Sequence, residues 1–198
     1  MMRTAGIILA GGLSSRFGSP KAFAKWRGKR FYEYSLQALS PFCDECMIVT
    51  RPELMLRFPQ EMKVVTDLAG FAGQGPVAGI LSGMEAMEAD RYIVLPCDMP
   101  FMDRDVIGEL LKKHQSDVTA VVLDGKHHPL VSVWDCSAKA ELKQALVNGQ
   151  RRVLEVQEKI GVRWVDGRSL TCNPAKVFEN VNRPDMLERR GSHGGDSR

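Results

Sequence analysis

A glycine loop near the N-terminus carries the first residues whose types and spacing could do chemistry. The loop closes a short apolar stretch with Leu9, Ala10, Gly11 and Gly12. Arg16 and Lys21 follow in the same loop. Glycines at the end of a strand let backbone N–H groups approach phosphate oxygens closely, and the two cations add fixed positive charge. The pattern matches neither a P-loop nor GxGxxG, so it predicts a phosphate-binding loop of another class.

Two aspartates follow apolar runs farther along the chain. Asp67 ends the run at 62–66, and Asp98 follows the run at 92–95. A carboxylate at a strand end can hold Mg²⁺ against a nucleoside triphosphate, because this ion takes one or two protein carboxylates and keeps its phosphates and waters. Each residue also has an ordinary interpretation, a helix cap for Asp98 and a turn residue for Asp67. Beside a phosphate loop, we expect Asp98 to bind Mg²⁺ and Asp67 to contact the nucleotide or the metal.

A helix is predicted to begin after Gly75-Pro76, because proline is well tolerated in a first turn. Gly79 and Gly83 lie on one face of this helix, where each glycine costs about 1 kcal/mol relative to alanine. Two interpretations of the face stay open: close packing against a neighbouring element, or a border of the nucleotide site.

Short apolar runs alternate with amphipathic stretches, which is the pattern of an α/β fold with a mostly parallel sheet. Strands are predicted at residues 6–10, 46–50, 62–66, 92–95, 118–123 and 130–134. The last of these alternates and is a candidate edge strand. Helices are predicted at residues 31–39, 77–87, 103–114, 138–146 and 152–159, the third capped by Asp103 or Asp105.

The predicted architecture is an α/β domain, in which helices cover both faces of a mostly parallel sheet. Ligands of such sheets bind outside the carboxyl ends of the strands. This rule directs attention to the loop at 9–21, to Thr50 and Arg51, and to Asp67 and Asp98.

Composition limits the function classes. The chain has 198 residues, of which 44% are apolar and 26% charged, as in ordinary globular proteins. A net charge of +3 is too weak to indicate a nucleic-acid partner, and no apolar run reaches the roughly 18 residues of a membrane span. The apolar stretch at the N-terminus is too short for a secretory signal, and five cysteines at irregular spacing favour a reducing cytoplasm. Residues 190–198 are Gly/Ser-rich and predicted to be disordered.

Two further residue pairs could be mistaken for active-site groups. Cys43 and Cys46 form a CxxC pair that runs into an apolar strand, and the sequence offers no second pair for zinc. We interpret them as structural thiols, with a metal or redox role as the alternative. His127 and His128 are interpreted as a polar turn before the strand at 130–134.

Three motifs in this order give the chain a family resemblance: Leu-Ala-Gly-Gly-x-Ser-x-Arg-x-Gly-x-x-Lys, Gly-Pro-x-Ala-Gly-Ile and Cys-Asp-Met-Pro-Phe. With the later Phe-Glu-Asn-Val-Asn-Arg-Pro, they resemble the molybdenum cofactor guanylyltransferase family. The resemblance covers residues from about 4 to about 188. The first motif alone marks only the wider nucleotidyltransferase superfamily, whereas the next two together are much narrower.

The resemblance implies a reaction and a domain. GTP and molybdopterin, or its molybdenum-loaded form, would give the guanine dinucleotide cofactor and diphosphate with the help of Mg²⁺. Residues 1–189 would form the nucleotidyltransferase domain, a single three-layer, Rossmann-like α/β domain with a twisted, mostly parallel sheet. Partners implied in the same way are cofactor-synthesis proteins and acceptor molybdoenzymes, and we expect a monomer or a weak oligomer.

The resemblance also implies site residues by matched position. Nucleotide contacts would come from Leu9, Ala10, Gly11, Gly12, Lys21, Asp67 and Asp98. Arg16 and Lys21 would stabilise the transferring phosphate, and Asp98 would bind Mg²⁺. The pterin side would be formed by Arg152, Asn180 and Asn182. For Arg152 a solvated helix start is the ordinary alternative.

Two other functions stay open. One is a cytidylyltransferase for the same pterin, whose members carry Ala-Gly where Gly11 and Gly12 stand. The other is a non-catalytic nucleotide-binding adaptor that delivers the cofactor. The family often has an asparagine near the base after the second strand, where this chain has Thr50-Arg51, and an aspartate where Pro20 precedes the loop lysine.

Overall fold

A twisted sheet forms the middle layer of the computed structural model, which describes residues 2–12 and 17–187. The strands are β1 Thr4–Leu9, β2 Lys25–Trp26, β3 Lys29–Arg30, β4 Glu45–Val49, β5 Lys63–Val65, β6 Arg91–Pro96, β7 Val118–Leu123, β8 Lys126–Asp135 and β9 Arg163–Asp166. The helices are α1 Phe31–Leu39, α2 Pro76–Ala86, α3 Arg104–Lys112, α4 Lys139–Val147, α5 Val153–Ile160 and α6 Pro174–Val177. Within these ranges, every helix is too short or too polar to cross a membrane.

The main sheet has the order β5-β4-β1-β6-β8-β7-β9. Strand β1 pairs in parallel with both β4 and β6, and β4 pairs in parallel with β5. Strand β8 is antiparallel to its neighbours β6 and β7, while β9 returns parallel to β7. This confirms the prediction of a mostly parallel α/β sheet.

Two apolar cores lie on opposite faces of the sheet. In β1, Ile7 and Ile8 are both fully buried but belong to different cores. One core contains residues of α1 and α3, and the other contains residues of α2, α4 and α5. A strand that is covered on both faces needs a continuous apolar run, which is what β1 has. Helices on both faces were predicted, and the two cores confirm them.

The glycine face of α2 lies directly on β1. A Cβ on Gly83 would stand 2.8 Å from Ile7 Cδ1, and one on Gly79 would stand 3.0 Å from Leu9 Cδ2. The absence of side chains at these positions therefore lets the helix approach the strand closely, as the packing interpretation requires. At the start of α3, the Asp103 side chain accepts from the Val106 N–H and so provides the cap.

The prediction of an edge strand at 130–134 was wrong. Strand β8 lies inside the sheet, between β6 and β7. The alternation was misleading because Ser132 is fully buried and accepts a hydrogen bond from the Trp134 indole at 2.8 Å. A polar residue with a buried partner thus looks like a solvent-facing one in sequence.

The prediction of a polar turn at His127 and His128 was also wrong, since both residues lie in β8. The turn is formed by Asp124 and Gly125, whose φ angles of 52° and 74° fit a two-residue hairpin loop. The Asp124-Gly125 pair, which is typical of a two-residue hairpin turn, was the feature of the sequence that could have predicted this turn. The hairpin of β2 and β3 and the edge strand β9 were not predicted either.

His128 should make folding stability depend on pH. Its ring is buried beside Phe178, and burial lowers the pKa of His128 to about 4, from an ordinary value of about 6.5. Between pH 4 and about pH 6.5, the unfolded chain therefore binds up to one proton more than the folded chain does. We expect the free energy of unfolding to be highest above pH 6.5 and to fall by about 3 kcal/mol from this group as the pH is lowered to 4.

Denaturant unfolding of the wild type and of His128→Leu at several pH values measures this effect. The variant should lose stability at pH 7 through poorer packing, yet its stability should change less between pH 7 and 4. An equal pH dependence in both proteins would contradict the assignment.

Candidate active site

A cavity of about 740 Å³ lies at the edge of the sheet where β1, β4, β5 and β6 end. The residues predicted from the sequence as nucleotide contacts all line it: Leu9, Ala10, Gly11, Gly12, Lys21, Asp67 and Asp98. They meet because the four strands run in the same direction, so their carboxyl ends share one edge.

Lys21 and Asp98 are in direct contact at the cavity wall. Lys21 Nζ lies 2.8 Å from Asp98 Oδ2, and the two side chains are only 16% and 19% exposed. Lys21 begins a single 3₁₀ turn, Lys21–Phe23, which is anchored by the buried Ala22. Partial burial limits screening by water, so this cation and this carboxylate hold each other in place more firmly than an exposed pair would.

The two C-terminal asparagines belong to the same cluster. Asn182 Oδ1 accepts from Lys21 Nζ at 2.8 Å, and Asn180 Nδ2 donates to Asp98 Oδ1 at 3.0 Å. Between them, Val181 is fully buried and donates its N–H to the Asp98 carbonyl oxygen at 2.8 Å. The structure therefore brings two residues that the resemblance places on the pterin side into contact with the Lys21–Asp98 pair.

Asp67 lies at the end of β5, where its side chain is held by the following loop. Its Oδ2 accepts from the Gly73 N–H at 3.0 Å. Asp67 Oδ1 lies 3.8 Å from the position that a Cβ on Gly79 would occupy, which places the carboxylate beside α2. Asp67 is thus oriented towards the cavity on the side away from β6.

The N-terminus of α2 opens onto the same cavity. Gly75 precedes the helix with φ 80° and ψ −166°, a conformation that favours glycine. Gly75, Pro76 and Gly79 all line the cavity. The first N–H groups of a helix and its dipole favour anions, so the cavity has a second element suited to phosphate.

Sequence reasoning missed part of the wall beyond β4. Thr50 and Arg51 were singled out as residues at a strand end, but Glu53 was not, and all three line the cavity. Arg51 Nη1 and Glu53 Oε1 form an ion pair at 2.9 Å. The available signal was the position of Glu53, directly after Pro52 at a strand end.

Of the two remaining predicted residues, only Arg152 is described by the structure. Arg16 lies outside the residues that are described. Arg152 is 83% exposed at the start of α5 and pairs with Glu155 at 3.2 Å. Its neighbour Arg151 approaches the cavity rim, since the Arg151 carbonyl oxygen is 3.7 Å from where a Cβ on Gly75 would be.

Asp98 fits the requirements of a Mg²⁺ ligand. Each of its carboxylate oxygens accepts one side-chain hydrogen bond, and each has a second lone pair. In residues 2–12 and 17–187, no three His, Cys, Asp or Glu side chains come together as a metal cage. Mg²⁺ usually takes one or two carboxylates plus phosphates and waters, so one aspartate beside a phosphate loop is a suitable donor set.

Cys97 also lines the cavity, next to the aspartate. Its side chain is buried, and burial raises the pKa of the Cys97 thiol to about 12. The thiol is therefore protonated at neutral pH and is a poor nucleophile.

Away from the cavity, hydrogen bonding to Cys46 and burial raise the pKa of Cys43. Cys43 and Cys46 both carry free thiols, and these two side chains lie against Gly6 under α1.

Comparison with known proteins places these features in a family. Residues 6–161 match the model of the MobA-like NTP transferase domain. A protein from Bacillus anthracis named probable molybdenum cofactor guanylyltransferase is 34% identical over 92% of this chain and 92% of its own length. A Bacillus cereus protein of the same name is 35% identical over the same shares.

Solved structures share the fold. The molybdopterin-guanine dinucleotide biosynthesis protein A from Archaeoglobus fulgidus superposes with a TM-score of 0.77 at 28% identity, over 93% of this chain and 95% of that one. The 2-C-methyl-D-erythritol 4-phosphate cytidylyltransferase from Thermus thermophilus gives 0.70 at 17% identity, over 94% and 96%. The latter likeness concerns the fold alone.

Asp98→Asn should remove the dependence of nucleotide binding on Mg²⁺ while leaving the fold intact. The amide keeps the size of the side chain but loses the charge that attracts the ion. In calorimetry, Mg²⁺ should strengthen GTP binding to the wild type by about tenfold or more, which is about 1.4 kcal/mol, and leave binding to the variant nearly unchanged. Asp105→Asn, at an exposed aspartate of α3, is the control and should behave as the wild type. Equal Mg²⁺ dependence in Asp98→Asn would assign Asp98 a purely structural role.

Proposed function

Because this chain belongs to the family of MobA-like NTP transferase domains, we propose that it transfers GMP from GTP to molybdopterin or its molybdenum-loaded form. The products are the guanine dinucleotide cofactor and diphosphate. The observation that carries the proposal is the Lys21–Asp98 contact, which lies in one cavity with the glycine loop. The names of the relatives, at about one third identity over nearly the whole chain, support the choice of substrates.

The reaction needs little acid–base chemistry from the protein. A terminal phosphate oxygen of the pterin forms a bond to the α-phosphorus of GTP, and the bond from that phosphorus to the bridging oxygen of the diphosphate breaks. The second pKa of a phosphate monoester is about 6, so the attacking oxygen already carries negative charge at neutral pH. The protein therefore acts mainly by positioning and by neutralising charge.

Each element of the cavity has a place in this reaction. Backbone N–H groups of Gly11 and Gly12 face the phosphates, and Lys21, with Arg16, stabilises charge on the transferring phosphate. Asp98 holds Mg²⁺, which supplies further charge neutralisation when bound. Asp67 contacts the nucleotide on the β5 side.

The acceptor is proposed to approach from the side of Arg152, Asn180 and Asn182. Asn182 contacts Lys21 and Asn180 contacts Asp98, and these contacts support a role for both asparagines where the acceptor phosphate would meet the nucleotide. Arg152 is exposed and could pair with an anionic group of the pterin after leaving Glu155.

We expect GTP to be preferred over CTP and ATP in a transfer assay with purified protein, Mg²⁺ and molybdopterin. Release of diphosphate measures turnover, and a tenfold preference corresponds to about 1.4 kcal/mol. Equal or faster turnover with CTP would favour the cytidylyltransferase alternative. Binding of nucleotide with no diphosphate released in the presence of pterin would favour a delivery adaptor.

Arg152→Ala should separate the acceptor side from the nucleotide side. GTP affinity should stay within about twofold of wild type, because Arg152 lies away from the Lys21–Asp98 pair. The KM for the pterin should rise by roughly tenfold, the effect of losing one charge-assisted contact. Lys159→Ala removes a cation from the opposite end of α5 and serves as the control. A loss of GTP affinity in Arg152→Ala, with the pterin KM unchanged, would contradict this division.

A further inference from the structure

We propose that Cys43 and Cys46 form a thiol–disulfide exchange site, which reduces a low-molecular-weight disulfide and closes an internal disulfide between the two residues. The site lies where β4 begins, at the edge of the sheet opposite to the cavity. Neither thiol takes part in the proposed transfer reaction, so this inference stands independently of it.

The two sulfur atoms converge on one point beside β1. A Cβ on Gly6 would stand 2.8 Å from Cys46 Sγ and 3.1 Å from Cys43 Sγ. The glycine therefore leaves open the space that both sulfurs border, and a larger residue would displace them. A disulfide forms only where two cysteine side chains point towards each other, and these two side chains do so.

The backbone around the pair explains why residues three positions apart can meet. On an unbent strand, side chains at this spacing point to opposite faces. Here the chain bends at Asp44, between Cys43 and the start of β4. The Asp44 N–H donates to the Thr4 carbonyl oxygen, and the Thr4 N–H donates to Asp44 Oδ2, both at 2.8 Å. Cys46 then pairs with Gly6 in the parallel ladder, so the bend is fixed against β1 on both sides of Asp44.

The pair is half-buried, which suits exchange with a small molecule. Both side chains pack against the core that contains residues of α1, where Leu39 Cδ1 is 3.3 Å from the same Gly6 Cβ position. Cys97, in contrast, is buried. Partial exposure lets a small disulfide reach one sulfur, while the packing keeps the second thiol beside it.

Hydrogen bonding makes the two thiols chemically unequal. The hydrogen bond from Cys43 lowers the pKa of Cys46, and this effect outweighs those of burial and of the neighbouring Glu45 carboxylate. The same hydrogen bond, together with burial, raises the pKa of Cys43. The thiolate is the nucleophile in exchange, so Cys46 is the attacking residue and Cys43 the resolving one.

The exchange takes place in two steps that balance. The Cys46 thiolate attacks one sulfur of the small disulfide, whose S–S bond breaks, and half of that molecule leaves as a thiolate. Cys43 then loses its proton and attacks Cys46 Sγ in the mixed disulfide, and the second half leaves. Two protein thiols are thereby oxidised to one disulfide, the small disulfide is reduced to two thiols, and the two protons end on those leaving thiols.

Incubation of the reduced full chain with glutathione disulfide tests the inference. Acid quenching, alkylation of the remaining thiols, digestion with trypsin and mass spectrometry then identify the product. Both cysteines lie in the tryptic segment 31–57, which contains none of the other three. We expect this segment to lose two hydrogen atoms and to carry no glutathione, and we expect dithiothreitol to reverse the change.

Two serine variants assign the roles within the pair. Cys43→Ser should accumulate a glutathione adduct on Cys46, because no resolving thiol remains. Cys46→Ser should react at Cys43 at least about tenfold more slowly, because that thiol keeps its proton. Cys136→Ser is the matched control, since it removes an exposed thiol outside the pair and should form the internal disulfide at the wild-type rate.

The wild-type result decides the inference even if a serine variant does not fold. Two alkylated thiols in segment 31–57, at a time when the exposed Cys136 already carries glutathione, would overturn the exchange site and leave packing as the role of the pair. A lasting glutathione adduct in that segment, with no internal disulfide, would also overturn it. Equal rates in Cys43→Ser and Cys46→Ser would overturn the assignment of Cys46 as the attacking residue.

Discussion

The parallel pairing of β1 with β4 and β6 is the constraint on which the rest of the structure depends. It requires a strand that is apolar on both faces, and it brings the carboxyl ends of three strands to one edge. The glycine loop, the Arg51 turn and Asp98 follow those ends. Strand β1 is therefore both an interior strand of the sheet and part of the wall of the candidate active site.

The close fit of α2 on β1 and the contact between Lys21 and Asp98 then complete the cavity. Gly79 and Gly83 allow the helix to approach, so that its N-terminus opens beside Asp67. Lys21 and Asp98 lie far apart in the chain, and the buried Val181 brings a third segment to them. Three distant stretches of sequence thus share one small network of hydrogen bonds and charges.

Local patterns in the sequence predicted β1, β4 to β8, the helices α1 to α5 and the cavity residues at strand ends, because burial and strand direction set all of these. Position within the sheet was harder. The buried Ser132–Trp134 hydrogen bond gave β8 the appearance of an edge strand, and the Asp-Gly hairpin turn was overlooked. The contacts of Asn180 and Asn182 with the Lys21–Asp98 pair depend on long-range packing, which no local pattern encodes. Glu53 was missed as a cavity residue because its position depends on the turn that Pro52 begins.

We infer that a nucleoside triphosphate lies across the end of β1, with its phosphates at Lys21 and Asp98. A crystal structure with Mn²⁺ and a GTP analogue that carries a methylene group between the α- and β-phosphorus atoms tests this most directly. The account predicts an anomalous manganese peak within bonding distance of the Asp98 carboxylate, and phosphate oxygens of the nucleotide beside Lys21. A peak away from Asp98, or a nucleotide whose phosphates lie away from Lys21, would contradict it.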